Sequence, residues 1–319
     1  MPQYHIARPM TGVTTVRSPR FLLTPALLLL AVPATAQSPR ELRIPVAPAE
    51  TLQVGIWGTG TPVVIVPSIW SSTYGFRKVI PRLVGYGMQV IVIEPLGVAS
   101  SSRTPKADYS MTAQGRRIGA ALDSLHINDA LFVGQALSTS MILRFAVKSP
   151  DRMRGLVSLE GGIAEESATP GMRVALGVAA VILRIFPSQR LMRSRMRKNF
   201  ENVSGDRSWI TEEVLDGYMA PLRHRINPTI DAYRAMARST EPGLLRSQLS
   251  AIRVPVELVV GGAPHFGGVT PEELEPIERA IQTLRVTKIP GVGHIINEER
   301  PEEVVSAVER LRRRVAERQ

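Results

Sequence analysis

Residues 130–150, ALFVGQALSTSMILRFAVKSP, decide how this chain folds. The apolar run from Ala130 to Val133 has the composition of a buried strand. Gly134 permits a tight turn, and the residues after it place apolar side chains at the spacing of an amphipathic helix. A strand that turns sharply into a helix presents the side chain at the turn above the end of the sheet. This stretch therefore predicts a strand, a sharp turn near Ala136 and a helix.

The alternation of strand and helix extends on both sides of this stretch. Short apolar runs, typical of strands that are buried on both faces, occur at 62–66, 89–93, 155–159, 255–260 and 286–289. Helical patterns occur at 76–86, 111–125 and 271–284, and from Pro301 onward. Residues 52–56 alternate apolar side chains with small or polar ones, as in a half-buried edge strand. The order predicts the α/β fold class, with a doubly wound, mostly parallel sheet.

Residues 163–248 show no strand pattern. Helical stretches lie near 171–186, 188–200, 211–220 and 228–238, with breaks at Pro187, Gly205 and Asn227-Pro228. We predict an all-helical insertion here, between a first core segment at 37–162 and a second at 249–319. From Arg173 to Lys198 it has seven basic residues and no acid. We interpret this pattern as an apolar inner face with a basic outer face, and the alternative is a surface that binds anionic lipid.

The first 36 residues have the features of a secretory signal. Arg8, Arg17 and Arg20 precede an apolar run at 21–32, and Ala34-Thr35-Ala36 supplies the small residues of a cleavage site. The apolar run is short for a membrane span, which needs about 20 residues. We therefore predict cleavage after Ala36 and export to the periplasm or the medium.

Cysteine content and net charge exclude some kinds of site and partner. The chain has no cysteine, which excludes disulfides, a thiol nucleophile and a cysteine-ligated metal, and which suits an oxidising compartment. Its net charge of +11 becomes +8 without the predicted signal, which contains three arginines and no acid. A basic protein tends to associate with anionic surfaces. No nucleic-acid motif accompanies the charge, so we expect no nucleic-acid partner, and we expect neither a cofactor nor a metal site.

Two motifs resemble those of the α/β-hydrolase superfamily. Residues 134–138, GQALS, align with the G-x-S-x-G motif that surrounds the nucleophile, and residues 289–301, IPGVGHIINEERP, resemble the segment that contains the catalytic histidine. The helical insertion is similar to the cap of haloalkane dehalogenase-like and esterase-like members. The resemblance implies the α/β-hydrolase fold, with a cap above a pocket.

The resemblance also assigns catalytic positions. It implies that His294 is the catalytic histidine and that residue 136 is the nucleophile, but Ala136 has no atom that can attack a carbonyl. Ser138 is a candidate in a shifted frame, and its alternative role is to cap the helix N-terminus. Because a serine two residues further along a helix lies on another face, we expect its hydroxyl to point away from His294.

The carboxylate that orients the catalytic histidine in this family is displaced or lost in this chain. The usual loop reads Gly261-Gly262-Ala263-Pro264-His265 and contains no carboxylate. Glu160 follows the preceding strand, where haloalkane dehalogenases carry their acid, and its alternative role is that of a loop or capping carboxylate. We interpret His265 as a solvated loop residue, with ligand contact as the alternative.

The oxyanion segment differs as well. Pro67-Ser68-Ile69-Trp70 replaces the His-Gly of the family, so the expected N–H donors are those of Ile69 and Leu137. Ser68 and Gln135 are expected beside them. Trp70 is either core packing or a platform for a ligand, and packing is the default interpretation.

These departures favour an exported, non-hydrolytic relative that binds a small, largely apolar ligand in a capped pocket with Ala136 at its floor. A second hypothesis is an active hydrolase of ester-like substrates that uses Ser138, or a water activated by His294 and Glu160. A third is a protein that contacts membrane surfaces or partners through the basic cap.

Overall fold

A twisted eight-stranded sheet lies at the centre of the part of the chain that the computed structural model describes, residues 39–185 and 188–318. Its strands are β1 (Arg40–Ala47), β2 (Glu50–Trp57), β3 (Thr61–Val66), β4 (Met88–Ile93), β5 (Ala130–Gln135), β6 (Met153–Leu159), β7 (Val256–Gly261) and β8 (Leu284–Ile289). Their spatial order is β1-β2-β4-β3-β5-β6-β7-β8. Strands β1 and β2 are antiparallel to their neighbours, and all the others are parallel. The predicted α/β class and sheet type are confirmed. The predicted signal peptide lies outside the described residues.

Helices cover both faces of the sheet. They are α1 (Ile80–Gly85), α2 (Met111–Ser124), α3 (Leu137–Lys148), α8 (Pro271–Ala280), α9 (Ile296–Glu299) and α10 (Pro301–Ala316). Alternate side chains of a strand point to opposite faces. In β3, Val64 and Val66 therefore pack in the cluster that contains α2 and α3, whereas Val63 and Ile65 pack in the cluster that contains α1 and α10.

Three details differ from the sequence expectations. β1 was not predicted, and because it pairs with β2, residues 52–56 lie inside the sheet rather than at its edge. The predicted helix at 76–86 begins only at Ile80, after a 3-10 turn at Thr73–Phe76, and Pro81 occupies its first turn, where no N–H is needed. Helix α8 ends at Ala280, because the chain must turn before β8 begins at Leu284.

Among the described residues, four α-helices lie between β6 and β7: α4 (Pro170–Ile185), α5 (Gln189–Val203), α6 (Glu212–Met219) and α7 (Ile226–Arg238). Their own core contains Phe200, Trp209 and Tyr218, with ring centroids 4.9–6.4 Å apart. Residues 163–248 are free of strands wherever the structure describes them. We refer to α4–α7 as the cap, whose boundaries at 163 and 248 stay a prediction. None of the described helices combines the length and the apolar character needed to cross a bilayer.

Candidate functional site

Ala136 occupies the sharp turn between β5 and α3. Its φ is 46° and its ψ is −122°, a conformation that costs a non-glycine residue about 1–3 kcal/mol. Backbone hydrogen bonds fix the turn, since the Ala136 N–H donates to the carbonyl of Leu159 at 2.8 Å and its carbonyl accepts from Thr139 at 3.0 Å. Gly134 is required by close packing, because a Cβ there would lie 2.8 Å from the Thr139 hydroxyl oxygen. The turn thus has the geometry of a nucleophile elbow, and it presents a methyl group.

Ser138 is buried beneath this turn. Its Oγ lies 2.6 Å from the carbonyl oxygen of Val66 and 2.9 Å from that of Gln135, and it accepts a 2.8 Å hydrogen bond from the Gln135 N–H. The single hydroxyl proton is used by one of the two carbonyls. Ser138 therefore joins the ends of β3 and β5. It does not cap α3, whose N-cap is Ala136, and the hydrogen-bond partners of its hydroxyl among the described residues are backbone groups of Gln135 and Val66, not an imidazole.

Gln135 connects the elbow to the segment after His294. Its side-chain amide donates to Asn297 Oδ1 at 3.0 Å, and Asn297 Nδ2 in turn donates to the Gly75 carbonyl at 2.7 Å. The Gln135 and Asn297 side chains are buried. The amide of Gln135 is therefore engaged in positioning two loops.

The segment after β3 contains Ser68, which is buried, and Ile69 and Trp70, which are half-buried. Trp70 has a φ of 63°, and its N–H donates to the Tyr233 hydroxyl of α7 at 3.2 Å. The two rings meet edge to face at 4.7 Å. Burial raises the pKa of Tyr233 to about 12, so this phenol stays neutral. Leu137 begins α3, where an N–H has no partner inside the helix.

The ionisable groups of the site come from three neighbouring strands. Glu160 follows β6, His265 follows β7 and His294 follows β8, and one possible ligand atom from each lies within 4.8 Å of the others. Glu160 Oε2 lies 3.5 Å from His265 Nε2, and Glu160 Oε1 accepts a hydrogen bond from the Gly261 N–H. The carboxyl ends of adjacent parallel strands meet at one edge, which explains why residues so distant in sequence converge.

Burial shifts the pKa values of two members of this cluster, His294 and Glu160. It lowers the pKa of His294 to about 4, and the neighbouring His265 ring adds to this effect. It raises the pKa of Glu160, an effect that the Gly261 N–H and the His265 ring oppose. The imidazole of His294 is therefore neutral at pH 7.

The structure corrects our interpretation of His265. Its side chain is only 6% exposed, so it is not a solvated loop residue. It stands in the loop where the family carries its acid, and it faces Glu160 across the site. The sequence does show a histidine at this position. The loop around it is rich in glycine and proline, however, and that composition predicts a solvent-exposed side chain.

A cavity of about 500 Å³ lies within the cap. Its wall is mainly apolar and is formed by Trp70, Leu176, Ala179, Leu183, Leu191, Met192, Met196, Phe200 and Ile230, among others. Arg195 and Asn199 supply polar groups. Ala136 is not among its lining residues, so the expected pocket with Ala136 at its floor does not match this cavity. Trp70 is the residue of the predicted site that reaches it, which gives support to its alternative role as a ligand platform.

Comparison with known proteins identifies the fold family. Residues 61–301 match the family model described as alpha/beta hydrolase fold. An uncharacterised hydrolase from Bacillus subtilis, YugF, is 26% identical over 243 residues, which cover 75% of this chain and 85% of that protein. A haloalkane dehalogenase from Mesorhizobium japonicum is 28% identical over 125 residues, 39% of this chain and 40% of that protein.

Solved structures agree at the level of the fold. A thermophilic esterase from Thermogutta terrifontis superposes with a TM-score of 0.70 at 20% identity, over 87% of this chain and 99% of the esterase. With its mostly parallel sheet, its strained turn after β5 and a match over most of its length, this chain belongs to the α/β-hydrolase fold family.

Proposed function

We propose that this protein is a non-hydrolytic member of the family that binds a small, largely apolar ligand in the cap cavity. The observation that carries the proposal is the methyl group of Ala136 at the strained turn. Acyl transfer through a covalent intermediate needs a nucleophilic atom there. The hydroxyl of Ser138 is hydrogen-bonded inside the fold and does not replace it.

The cavity supports the choice of ligand. Binding sites for small molecules are concave and mostly apolar, with a few polar groups that orient the ligand. Here the exposed side chains of Arg195 and Asn199 lie along a wall of leucine, methionine and aromatic residues. We expect a ligand with an apolar body, whose polar end is placed near Arg195.

Binding can be measured with N-phenyl-1-naphthylamine, a small apolar fluorophore. Ala179 lines the cavity, so Ala179→Phe fills part of it and should weaken probe binding at least about tenfold. Val181→Phe adds the same ring to the solvent-exposed face of the same helix and should leave binding unchanged. Equal binding by wild type and Ala179→Phe would refute the cavity as the site.

The absence of covalent chemistry has its own test. The wild-type protein should not react with a fluorophosphonate probe, and its hydrolysis of p-nitrophenyl esters should not exceed that of a His294→Ala variant. Stoichiometric labelling, mapped to Ser138 by peptide mass spectrometry, would instead establish the alternative of an active hydrolase.

We also propose that the protein is exported. The basic residues, the apolar run and the small residues before Gln37 support this. N-terminal sequencing of the protein recovered outside the cytoplasm should begin at Gln37. An intact N-terminus at Met1 on protein confined to the cytoplasm would contradict export.

A second candidate function is contact with an anionic membrane surface. Val174, Val178, Val181 and Ile185 form a stripe on α4 and are 54–67% exposed. Exposed apolar patches often mark interaction sites. Basic side chains on α5 that form no ion pair within 39–185 and 188–318 are Arg190, Arg195 and Lys198. Arg193 and Arg197 are paired with Glu212, so they are poorer candidates for lipid contact than the sequence suggested.

Vesicle binding separates this candidate from the first. Phosphatidylglycerol vesicles should bind the protein in a salt-sensitive way, and phosphatidylcholine vesicles should not. Binding should be lost in the triple variant Arg190→Gln, Arg195→Gln, Lys198→Gln. The control variant Arg82→Gln, Lys148→Gln, Arg285→Gln removes the same number of positive charges from exposed positions outside the cap. If both triple variants bind alike, the cap surface is not the lipid-binding face.

A further inference from the structure

We propose that Glu160, His265 and His294 form a binding site for a divalent transition metal, with Zn²⁺ as the best-fitting ion. No metal-binding motif in the sequence contains these residues, because at least 29 positions separate each from the next in the chain. The structure brings them to the ends of three strands that are neighbours in the sheet. This inference is independent of the proposed ligand-binding function.

The first observation is a convergence of unpartnered polar atoms. Glu160 Oε2, His265 Nε2 and His294 Nδ1 are buried, and among residues 39–185 and 188–318 no hydrogen bond of ordinary geometry reaches any of them, although Glu160 Oε2 and His265 Nε2 face each other at 3.5 Å. Buried polar atoms are nearly always hydrogen-bonded, so each exception needs an explanation. A shared metal ion would explain all three at once.

The second observation is the orientation of the donors. The Nδ1 of His265 lies 2.8 Å from the Ala263 carbonyl, which can only accept, so Nδ1 donates its proton there and Nε2 is the ring nitrogen that faces Glu160 Oε2. A metal-binding histidine usually donates its other ring N–H to a carbonyl or a carboxylate, and ligating carboxylates are themselves hydrogen-bonded. Glu160 meets this condition too, because its Oε1 accepts from the Gly261 N–H.

Donor distances and donor types fit zinc. Two donors each about 2.0–2.1 Å from a tetrahedral zinc ion lie about 3.3 Å apart. Glu160 Oε2 and His265 Nε2 are 3.5 Å apart, close to this spacing, and the set of three lies within 4.8 Å, so the widest pair has to approach by at most about 1.5 Å. Two imidazoles and one carboxylate are a set found in zinc sites that keep a fourth position open.

The space beside the donors depends on a glycine. A Cβ at Gly268 would lie 2.8 Å from His265 Nε2 and 3.5 Å from Glu160 Oε2. Gly268→Ala therefore places a methyl group against the donor atoms without removing a ligand. Gly171→Ala is the matched control, since nothing lies within 4 Å of a Cβ at that position.

The test titrates metal-free, untagged protein with Co²⁺ and follows its visible d–d absorption, and Zn²⁺ is then added as a competitor. We expect one ion per chain, displacement of Co²⁺ by Zn²⁺, and affinity about 100-fold weaker in His265→Ala and in Glu160→Gln. Exposed histidines provide controls through His126→Asn and His224→Asn, and asparagine tolerates their positive φ. These two variants should bind as wild type does.

Thermal unfolding gives a second readout. Zn²⁺ at 100 times its wild-type Kd should raise the Tm of wild type by roughly 5 °C, and should raise the Tm of His265→Ala and Gly268→Ala by no more than about 1 °C. The proposal is overturned if wild type gives no d–d spectrum, or if His265→Ala and His126→Asn bind Co²⁺ equally. It is also overturned if Gly268→Ala binds as tightly as Gly171→Ala.

Discussion

The elbow at Ala136 and the cluster of Glu160, His265 and His294 lie at the same edge of the sheet. The elbow retains the backbone geometry of a catalytic site, whereas the cluster retains ionisable side chains. The elbow has the strained backbone of a nucleophile turn without a reactive atom. The cluster has ionisable groups, but with a histidine in the loop where the family carries its acid. The comparison teaches that the turn geometry is fixed by tertiary packing around Gly134 and by backbone hydrogen bonds, and does not depend on what side chain it presents.

The strongest test of this comparison removes the connection between the two regions. Asn297→Ala leaves the side chain of Gln135 and the carbonyl of Gly75 without partners, and both are buried. We expect a loss of about 3 kcal/mol in the free energy of unfolding, measured by urea denaturation. Asn128→Ala, on the surface, should cost almost nothing. A loss below about 1 kcal/mol for Asn297→Ala would show that the regions are not coupled through this amide.

Ala136→Ser asks whether the elbow still presents its side chain to His294. We expect esterase activity about 100-fold above wild type, and labelling by a fluorophosphonate. The assay is run with excess chelator, which keeps the imidazole free of metal. Activity should disappear when His294→Ala is added. An inert Ala136→Ser variant that is well folded would show that the turn and the imidazole are no longer in register.

Ser138→Ala separates a structural serine from a catalytic one. Its hydroxyl bonds to Gln135 and Val66, so we expect a loss of about 1–2 kcal/mol in the free energy of unfolding. Ser124→Ala, which removes an exposed hydroxyl on α2, should be nearly neutral. Any esterase activity of wild type that vanished in Ser138→Ala would contradict the structural role.

Ala136→Gly measures the strain that the turn retains. Glycine adopts positive φ without steric cost, so we expect a gain of about 0.5–1 kcal/mol in the free energy of unfolding. The same substitution inside α2, Ala120→Gly, should cost about 1 kcal/mol, because glycine is unfavourable in a helix. Differential scanning calorimetry compares the two, and a loss of stability in both would mean that the elbow is not strained.

Most of the fold was predictable from hydrophobic pattern. Strands β3 to β7 are nearly continuous apolar runs, which is what burial on both faces of a parallel sheet requires. β1 is not among the strands predicted from the sequence, although Leu42, Ile44 and Val46 are apolar residues at every second position. Pro45 within that segment weakens a strand prediction, but an edge strand tolerates proline because one side of it forms no ladder.

The site was less predictable, for a physical reason. Sequence order placed His294 and Glu160 at strand ends, but the direction in which a loop side chain points is a tertiary property. His265 became part of the site only through the proximity of the β6 and β7 loops. The position of the cavity could not be predicted from the sequence either, because it depends on how α4 and α5 pack against Trp70.

Trp70 bears on how a ligand reaches that cavity. Its N–H bonds to Tyr233, and its indole meets the phenol ring, so this single residue joins the core loop to α7. If the whole cap moved away from the sheet as a rigid body, both interactions would break. A ligand that enters the cavity between α4 and α5 breaks neither interaction. We therefore expect the distance between these two helices to control the rates of ligand entry and release.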